Sequence, residues 1–457
     1  MRVFHEYAAV FDDPNLVSCA GLAPVLSLAE RAGLHDQLDQ RLTMRGPGAA
    51  NAALKVTALV AGMVAGADSI EDMDVLRHGA MDRMFGGVRA PSTLGTFLRT
   101  FTFGHVRQLD AVAARTLAGL ATRTPLLAGA DQIAYVDVDD TVKRTYGYAK
   151  QGAGYGYSGV KGLNALLATV STPLAAPVIA GCRLRKGATN SARGASRLLA
   201  DALVTTRAAG ATGLVVVRAD SAFYNRDVLA TAGRHRARFS VTARQDPSVR
   251  KAIEAISDDA WTAIHYPNAI WDDAEQRLIS DAEVAEIEHT AFTSRRKPEH
   301  ITGRLIVRRV RRLNPATSAQ GELFSTWRYH AVFTNSPLRM LEAEAAHRGH
   351  AIIEQVIAEL KDGPLAHLPS GTFNANAAWL VLASIAFNLT RAAGSLASRL
   401  HARARLATLR AQLINVPARL ARSARRLTLH LPQHWPWQPA WQQLDQRARG
   451  APLTAPR

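Results

Sequence analysis

Three stretches of this 457-residue sequence put acidic side chains where they could do chemistry together. The first is "HRGHAIIEQVIAELKDG", His347 to Gly363, which reads as one helix. At 100° per residue, His350, Glu354 and Lys361 fall at about 300°, 340° and 320° from His347. Four polar groups therefore share one stripe, while Ile353, Val356, Ile357 and Leu360 take the opposite side. An ordinary surface helix shows the same pattern, so this stretch alone decides nothing. The second is "YVDVDDT", an alternating strand that sets Asp137 and Asp139 on one face and turns Asp140 away. The third is "VVVRADSAFY", where Asp220 ends an apolar strand, a position that also suits a turn-capping residue. Asp139, Asp220 and Glu354 would make a hard, oxygen-only ligand set suited to Mg²⁺ or Mn²⁺. Two such ions about 4 Å apart support phosphoryl transfer, one activating the attacking oxygen and the other stabilising the leaving oxygen. By period two, Asp137 and Asp139 are both possible ligands on the first strand.

The elements around these acids have to bring them together. From Asn15 to Leu127 apolar residues recur at helical spacing, broken by "RGPG" and "GGVRAPS". Within this region "APSTLGTFLRTFTFGHVRQLD" predicts a helix opened by Pro91 and capped by Ser92 or Thr93, then a second helix after Gly104. The pair is a candidate helix-turn-helix. At Ile133 the texture changes. Strands are expected at "IAYVDVDD", "LNALLATVST" and "APVIAGCRLR", then a helix at Gly194–Gly210, a strand in "GLVVVRAD", a helix at Asn225–Arg236 and a strand in "ARFSVTAR". That order is the one of a ribonuclease H-like α/β fold. Its first and fourth strands are adjacent, so the acids they carry lie side by side.

Between Trp261 and Phe333 four antiparallel strands suggest an inserted β subdomain, and helical texture returns with the His347 segment and an apolar helix at Asn374–Leu396. The expected organisation is a helical DNA-binding domain (1–128), the core's first part (129–258), the β insertion (259–336), the core's second part (337–398) and a basic helical extension (399–457).

Lys and Arg number 55 against 38 Asp and Glu, a formal charge of +17, which points to a polyanionic partner, nucleic acid before a membrane surface. From Arg391 onward, twelve arginines face one acid, Asp445. Cys19 and Cys182 form no C-x-x-C pair, so neither a disulfide framework nor a thiolate zinc site is expected, and a reducing cytoplasm fits. The opening "MRVFHEYAAVFDDPN" has no apolar signal core. The apolar runs Val56–Ala67 and Ala377–Phe387 are shorter than a spanning helix needs and read as buried core. Histidines at 347 and 350 with Glu354 raise a transition-metal hydrolase as a rival, although the H-E-x-x-H order is absent.

Seven ordered stretches carry a resemblance: "LVAGMVAGADSIEDMDVLR", "APSTLGTFLRTFTFGHVRQLD", "VDVDDT", "GYSGVKGLNALLA", "VRADSAFY", "HRGHAIIEQVIAELKDG" and "INVPARLARSARRLTLHLPQHWPW". Through them the chain resembles, nearly end to end, the DDE transposases of bacterial insertion sequences, specifically insertion-sequence group thirteen-eighty. The resemblance implies a ribonuclease H-like core with a β insertion between the second and third acids, and cut-and-paste transposition by metal-dependent hydrolysis at terminal inverted repeats followed by strand transfer. It implies Asp139, Asp220 and Glu354 as catalytic, metal-binding acids holding two Mg²⁺ or Mn²⁺ ions. Relatives carry Tyr-x2-Arg-x3-Glu-x6-Lys around the glutamate. Here the spacing holds with His347, His350, Glu354 and Lys361, so the Tyr and Arg positions are both histidine. By the same resemblance Lys361, His347, His350, Lys143, Arg144 and Lys161 would contact DNA, and Trp261 or Trp271 would hold a flipped base. A homodimer that synapses two transposon ends is implied as well.

Overall fold

The computed structural model describes residues 6–450 except 47, 147–149, 157–158, 265–270, 273–276, 279–281, 312–326 and 425. Two compact units emerge. One comprises residues 1–126, 145–152 and 358–457, and the other 127–144 and 153–357.

Along the chain, the first unit opens with helices α1 (Leu22–Arg31), α2 (Leu34–Arg41), α3 (Ala52–Ala65), α4 (Pro91–Arg99) and α5 (Phe103–Ala121). Pro91 occupies the first turn of α4, where its missing N–H costs nothing. Helix α5 starts at Phe103 rather than after Gly104, because Thr102 caps it: the Thr102 side chain accepts from the His105 N–H, and the His105 ring accepts from the Thr102 N–H.

The second unit holds a ten-stranded mixed sheet. Its strands are β1 (Ile133–Arg144), β2 (Gly154–Tyr155), β3 (Lys161–Ser171), β4 (Val178–Lys186), β5 (Leu214–Ala219), β6 (Arg238–Thr242), β7 (Thr262–Ile264), β8 (Ala282–Ala291), β9 (Ile301–Arg311) and β10 (Trp327–Thr334). Helices α6 (Ala195–Ala208) and α7 (Arg226–Arg234) lie on the connections β4 to β5 and β5 to β6, and α8 (Pro247–Glu254) follows β6. The spatial order is β2-β3-β1-β5-β6-β10-β9-β8-β7, with β4 also on β3. Only β1–β5 and β5–β6 are parallel. The run Val215–Ala219 is buried throughout, as its unbroken apolar character requires of a strand covered on both faces. The strands expected to form the β insertion continue this sheet, because β10 pairs antiparallel with β6 through Val332↔Thr242 and Thr334↔Ser240.

Helix α9 (Met340–Arg348) follows, then a tight 3₁₀ turn at Gly349–Ala351 and α10 (Ile352–Lys361). The single helix expected over His347–Gly363 is thus two helices. Glycine is a poor helix residue, and a side chain at 349 would run into a neighbour, since a Cβ there would stand 2.8 Å from Nη1 of Arg218.

The first unit resumes with the end of α10 and with α11 (Phe373–Ala397), which packs against α3 and α5 and against α12 (Gln438–Ala448). Helix α11 is long and apolar enough to cross a bilayer, yet it is buried along nearly its whole length and serves as the core of the unit. The basic tail is not wholly helical. Strands β11 (Ala418–Ser423) and β12 (Arg426–His430) pair with each other, and β11 also pairs with Leu16–Val17 near the N-terminus.

Candidate active site

Strand β1 carries three acids whose surroundings differ sharply. Even-numbered Ala134, Val136 and Val138 are fully buried, which fixes the strand's orientation and leaves the odd positions on the other face. Asp137 is buried at 0 % exposure and bound on both oxygens by Arg218 of β5, from Nε and Nη2 at 2.7 Å each. Nδ1 of His350 donates to the same carboxylate at 3.0 Å. Asp140, on the opposite face, pairs with Arg185 at 2.6 Å and accepts from Asn164. Arg185 itself is buried and also bonds the carbonyls of Asn190, Ser191 and Arg193.

Asp139 lies between these two neutralised groups, and no arginine or lysine pairs with it among the described residues. Its carboxylate accepts from the Asp140 N–H at 2.7 Å. Burial pushes its pKa up to about 6, against the lowering effect of that N–H, and the nearby charge of Asp220 adds to the rise.

Asp220 follows the last residue of β5. It accepts from the Ala222 N–H at 3.0 Å and so caps the 3₁₀ turn Ser221–Phe223. The residue is exposed as a whole, but crowding of its carboxyl raises the pKa, with Asp140 contributing as a like charge. The parallel register aligns Asp137 with Arg218 and Val138 with Ala219, so Asp139 and Asp220 come next at the same level of the sheet.

Glu354 is exposed in the first turn of α10. The apolar side expected for that helix is the buried one, with Ile353, Val356, Ile357 and Leu360 at 0 %, 0 %, 9 % and 1 % exposure. The structure brings Asp139 and Asp220 into electrostatic contact. Among the described residues no three His, Cys, Asp or Glu side chains form a group that could hold one ion. The donor chemistry of the Asp139–Asp220 pair, oxygen-only and with no arginine or lysine paired to it among the described residues, does fit a hard divalent ion.

The remaining expected site residues divide into two groups. The half-buried ring of His347 has Nδ1 3.1 Å from Ser240 Oγ and Nε2 3.0 Å from Thr242 Oγ1. Burial drives its pKa down to about 3, helped by His350 and Arg218, so the ring is neutral. With both nitrogens engaged by β6, and His350 Nδ1 on Asp137, the two histidines face protein groups rather than open solvent. The rival metal site of His347, His350 and Glu354 loses His347 for the same reason.

Lys143 and Arg144 end β1 beside the start of β3, where Lys161 lies, through the pairs Lys143↔Leu163 and Arg144↔Gly162. Lys361 ends α10 and is partly buried. Trp261 packs against Arg309, whose guanidinium stands 4.1 Å from its ring centre and 4.5 Å from that of Trp327. The side chain of Trp271 lies outside the described residues.

Arg218 and Arg185 went unread in the sequence. The available signal was an arginine inside the buried run "LVVVRAD", since a charge in a doubly covered strand must find a partner.

No curated protein matches the chain. A family model, transposase DDE domain group 1, matches residues 5–452. That match covers β1, β5 and α10 with all their acids, and the chain belongs to the DDE transposase family, group 1.

Proposed function

We propose that the protein is an active cut-and-paste transposase of insertion-sequence group thirteen-eighty, built on a ribonuclease H-like core. In this reading it hydrolyses phosphodiesters at the element's terminal inverted repeats and then joins the freed 3′-hydroxyls to target DNA. Membership of the DDE transposase family supports the reaction class, a DNA substrate and use of a divalent metal. The sheet order β4-β3-β1-β5-β6, with only β1–β5 and β5–β6 parallel, supports the core assignment.

The observation that carries the reading is the Asp139–Asp220 pair. Asp139 and Asp220 lie at adjacent strand ends without an arginine or lysine partner among the described residues, while Asp137 and Asp140 on the same stretch each hold an arginine. Asp139, Asp220 and Glu354 are the residues proposed to hold two Mg²⁺ or Mn²⁺ ions. Ions held there would activate the attacking oxygen and stabilise the leaving one. Lys143 shares the odd-numbered face of β1 with Asp139, about 13 Å farther along the strand. With Arg144, Lys161 and Lys361 it is proposed to hold backbone phosphate. Two ends must be brought together for transposition, so the working form is proposed to be a homodimer on DNA in the bacterial cytoplasm.

A second reading, a transposase-derived DNA-binding protein without catalysis, is favoured by one observation: among the described residues no three His, Cys, Asp or Glu side chains form a group that could hold a metal ion. Labelled duplex ending in the element's own inverted repeat separates the two. Cleavage with Mg²⁺, absent with EDTA and lost in Asp139→Ala, Asp220→Ala and Glu354→Ala, supports the transposase. Binding without cleavage by the unaltered protein supports the second reading.

A further inference from the structure

All three acid-bearing segments meet at one buried group. Asp137 precedes Asp139 by two residues on β1, and Arg218 precedes Asp220 by two on β5. Because the strands are parallel and in register at this pair, the two-pronged Arg218–Asp137 contact clamps both strand ends at the same level. The third segment reaches the same clamp twice. Nη1 of Arg218 donates to the carbonyl of Ala346, and His350 donates to Asp137, four residues before Glu354. Gly349 makes this approach possible, since any larger residue would meet Arg218. Tyr135 covers the guanidinium at 4.1 Å. A little farther out, His347 fastens the end of α9 to Ser240 and Thr242 of β6. Asp137 at 0 % and Arg218 at 3 % exposure are shut off from solvent, so neither is free to serve DNA or a metal ion directly.

We propose that Arg218, Asp137 and His350 form a positioning brace that holds the strand ends and helix carrying Asp139, Asp220 and Glu354, and that position 350 therefore acts on protein rather than on phosphate. The proposal rests on the catalytic reading of those three acids. Groups that orient ligands through a hydrogen bond typically change metal affinity or rate by about 10- to 100-fold when removed. A phosphate contact behaves differently: its loss weakens DNA binding and lowers the salt dependence by about one ion.

The experiment compares the full-length protein with His350→Ala, His350→Gln and the double replacement Arg218→Met with Asp137→Leu, which exchanges the buried pair for apolar residues of similar size. Thermal unfolding establishes that each variant is folded. Three quantities are then read: affinity for the end duplex across a salt series, single-turnover cleavage at saturating duplex, and Mn²⁺ binding to the DNA-free protein by electron paramagnetic resonance.

The expected result for His350→Ala and the double variant is unchanged duplex affinity and salt slope, with cleavage slowed and Mn²⁺ binding weakened about 10- to 100-fold. His350→Gln keeps a neutral donor toward Asp137 and recovers most of both. A His350→Ala protein that loses duplex affinity but cleaves at the normal rate when saturated overturns the proposal, as do variants that bind Mn²⁺ and cleave like the unaltered protein. If His350→Ala does not fold, His350→Gln and the double variant carry the decision. Should the unaltered protein not cleave at all, the catalytic reading fails by itself, and Mn²⁺ binding still decides whether the brace orders the acids.

Discussion

Glu354 and Glu359 lie five residues apart on helix α10 and have opposite circumstances. Glu359 is buried and receives both Nη2 contacts of Arg391, at 2.9 and 3.0 Å, together with the N–H of Leu406 at 3.0 Å. Glu354 is exposed in the first turn. The same contrast recurs on β1, where Asp137 and Asp140 each hold an arginine and Asp139 holds none. A carboxylate with a counter-charge is finished as a structural element, because its field is cancelled and its lone pairs are filled. One that the fold desolvates without a partner retains free-energy reason to bind a cation. What separates chemistry from architecture here is therefore the presence or absence of an arginine, not the type of acid.

The largest effect expected from this contrast is catalytic. Asp139→Ala and Asp220→Ala should each slow metal-dependent cleavage of the end duplex by roughly 1,000-fold or more, about 4 kcal/mol in the barrier, while the protein remains folded. Comparable loss in a variant of Asp140, the acid paired with Arg185, with the fold intact, would break the distinction.

Stability should show the reverse. Glu359→Ala leaves Arg391 buried without its partner and should cost about 3 to 5 kcal/mol in denaturant unfolding. Glu354→Ala, at an exposed position, should change stability by less than about 0.5 kcal/mol. Equal losses in the two variants would remove the basis for treating these glutamates differently.

A third effect is pH-dependent. The Asp139 pKa stands at about 6 in the folded chain against an ordinary carboxylate value near 4, so between those values the folded state binds more protons than the unfolded. Stability from this group is thus complete at pH 4 and lost as pH rises through 6. Asp139→Asn, which cannot ionise, should be more stable than the unaltered protein by up to about 3 kcal/mol at pH 8, with the difference vanishing at pH 4. Mg²⁺ should narrow the gap at pH 8 by stabilising only the protein that keeps the carboxylate. A gap that is flat with pH would show that Asp139 is not desolvated as described.

The smallest effect concerns His347. Its pKa of about 3 keeps the ring neutral, so His347→Phe should lower stability by about 1 to 2 kcal/mol at pH 8 through the stranded Ser240 and Thr242 hydroxyls, and that loss should shrink by about 2 kcal/mol at pH 5, where only the unfolded chain gains a proton. A loss that stays flat or grows toward low pH would mean that the folded ring takes up a proton as readily as the unfolded one.

The strands around the acids were legible because their signals are local. "IAYVDVDD" alternates, "GLVVVRAD" is continuously apolar, and both became strands bearing the expected aspartates. Local patterning misled where the deciding neighbour is distant. The His347 segment kept its wheel but not its continuity, since Arg218 packs against Gly349 from 131 positions earlier in the sequence. The four strands after Trp261 are legible as antiparallel, but local pattern does not say what they pair with, and it is the pairing of β10 with β6 that joins them to the main sheet. The basic tail read as helical, yet part of it pairs with Leu16 and Val17 some 400 residues away.

From its sequence alone this protein determined an α/β chain with strong positive charge, and acids placed at strand ends and on a helix. Hydrophobic period and residue type carry that much, because each reports on a few neighbouring residues. Which acids are neutralised was decided only in three dimensions. Ion pairing depends on a few ångströms between side chains such as Asp137 and Arg218, 81 positions apart, and no periodicity within either strand encodes that distance.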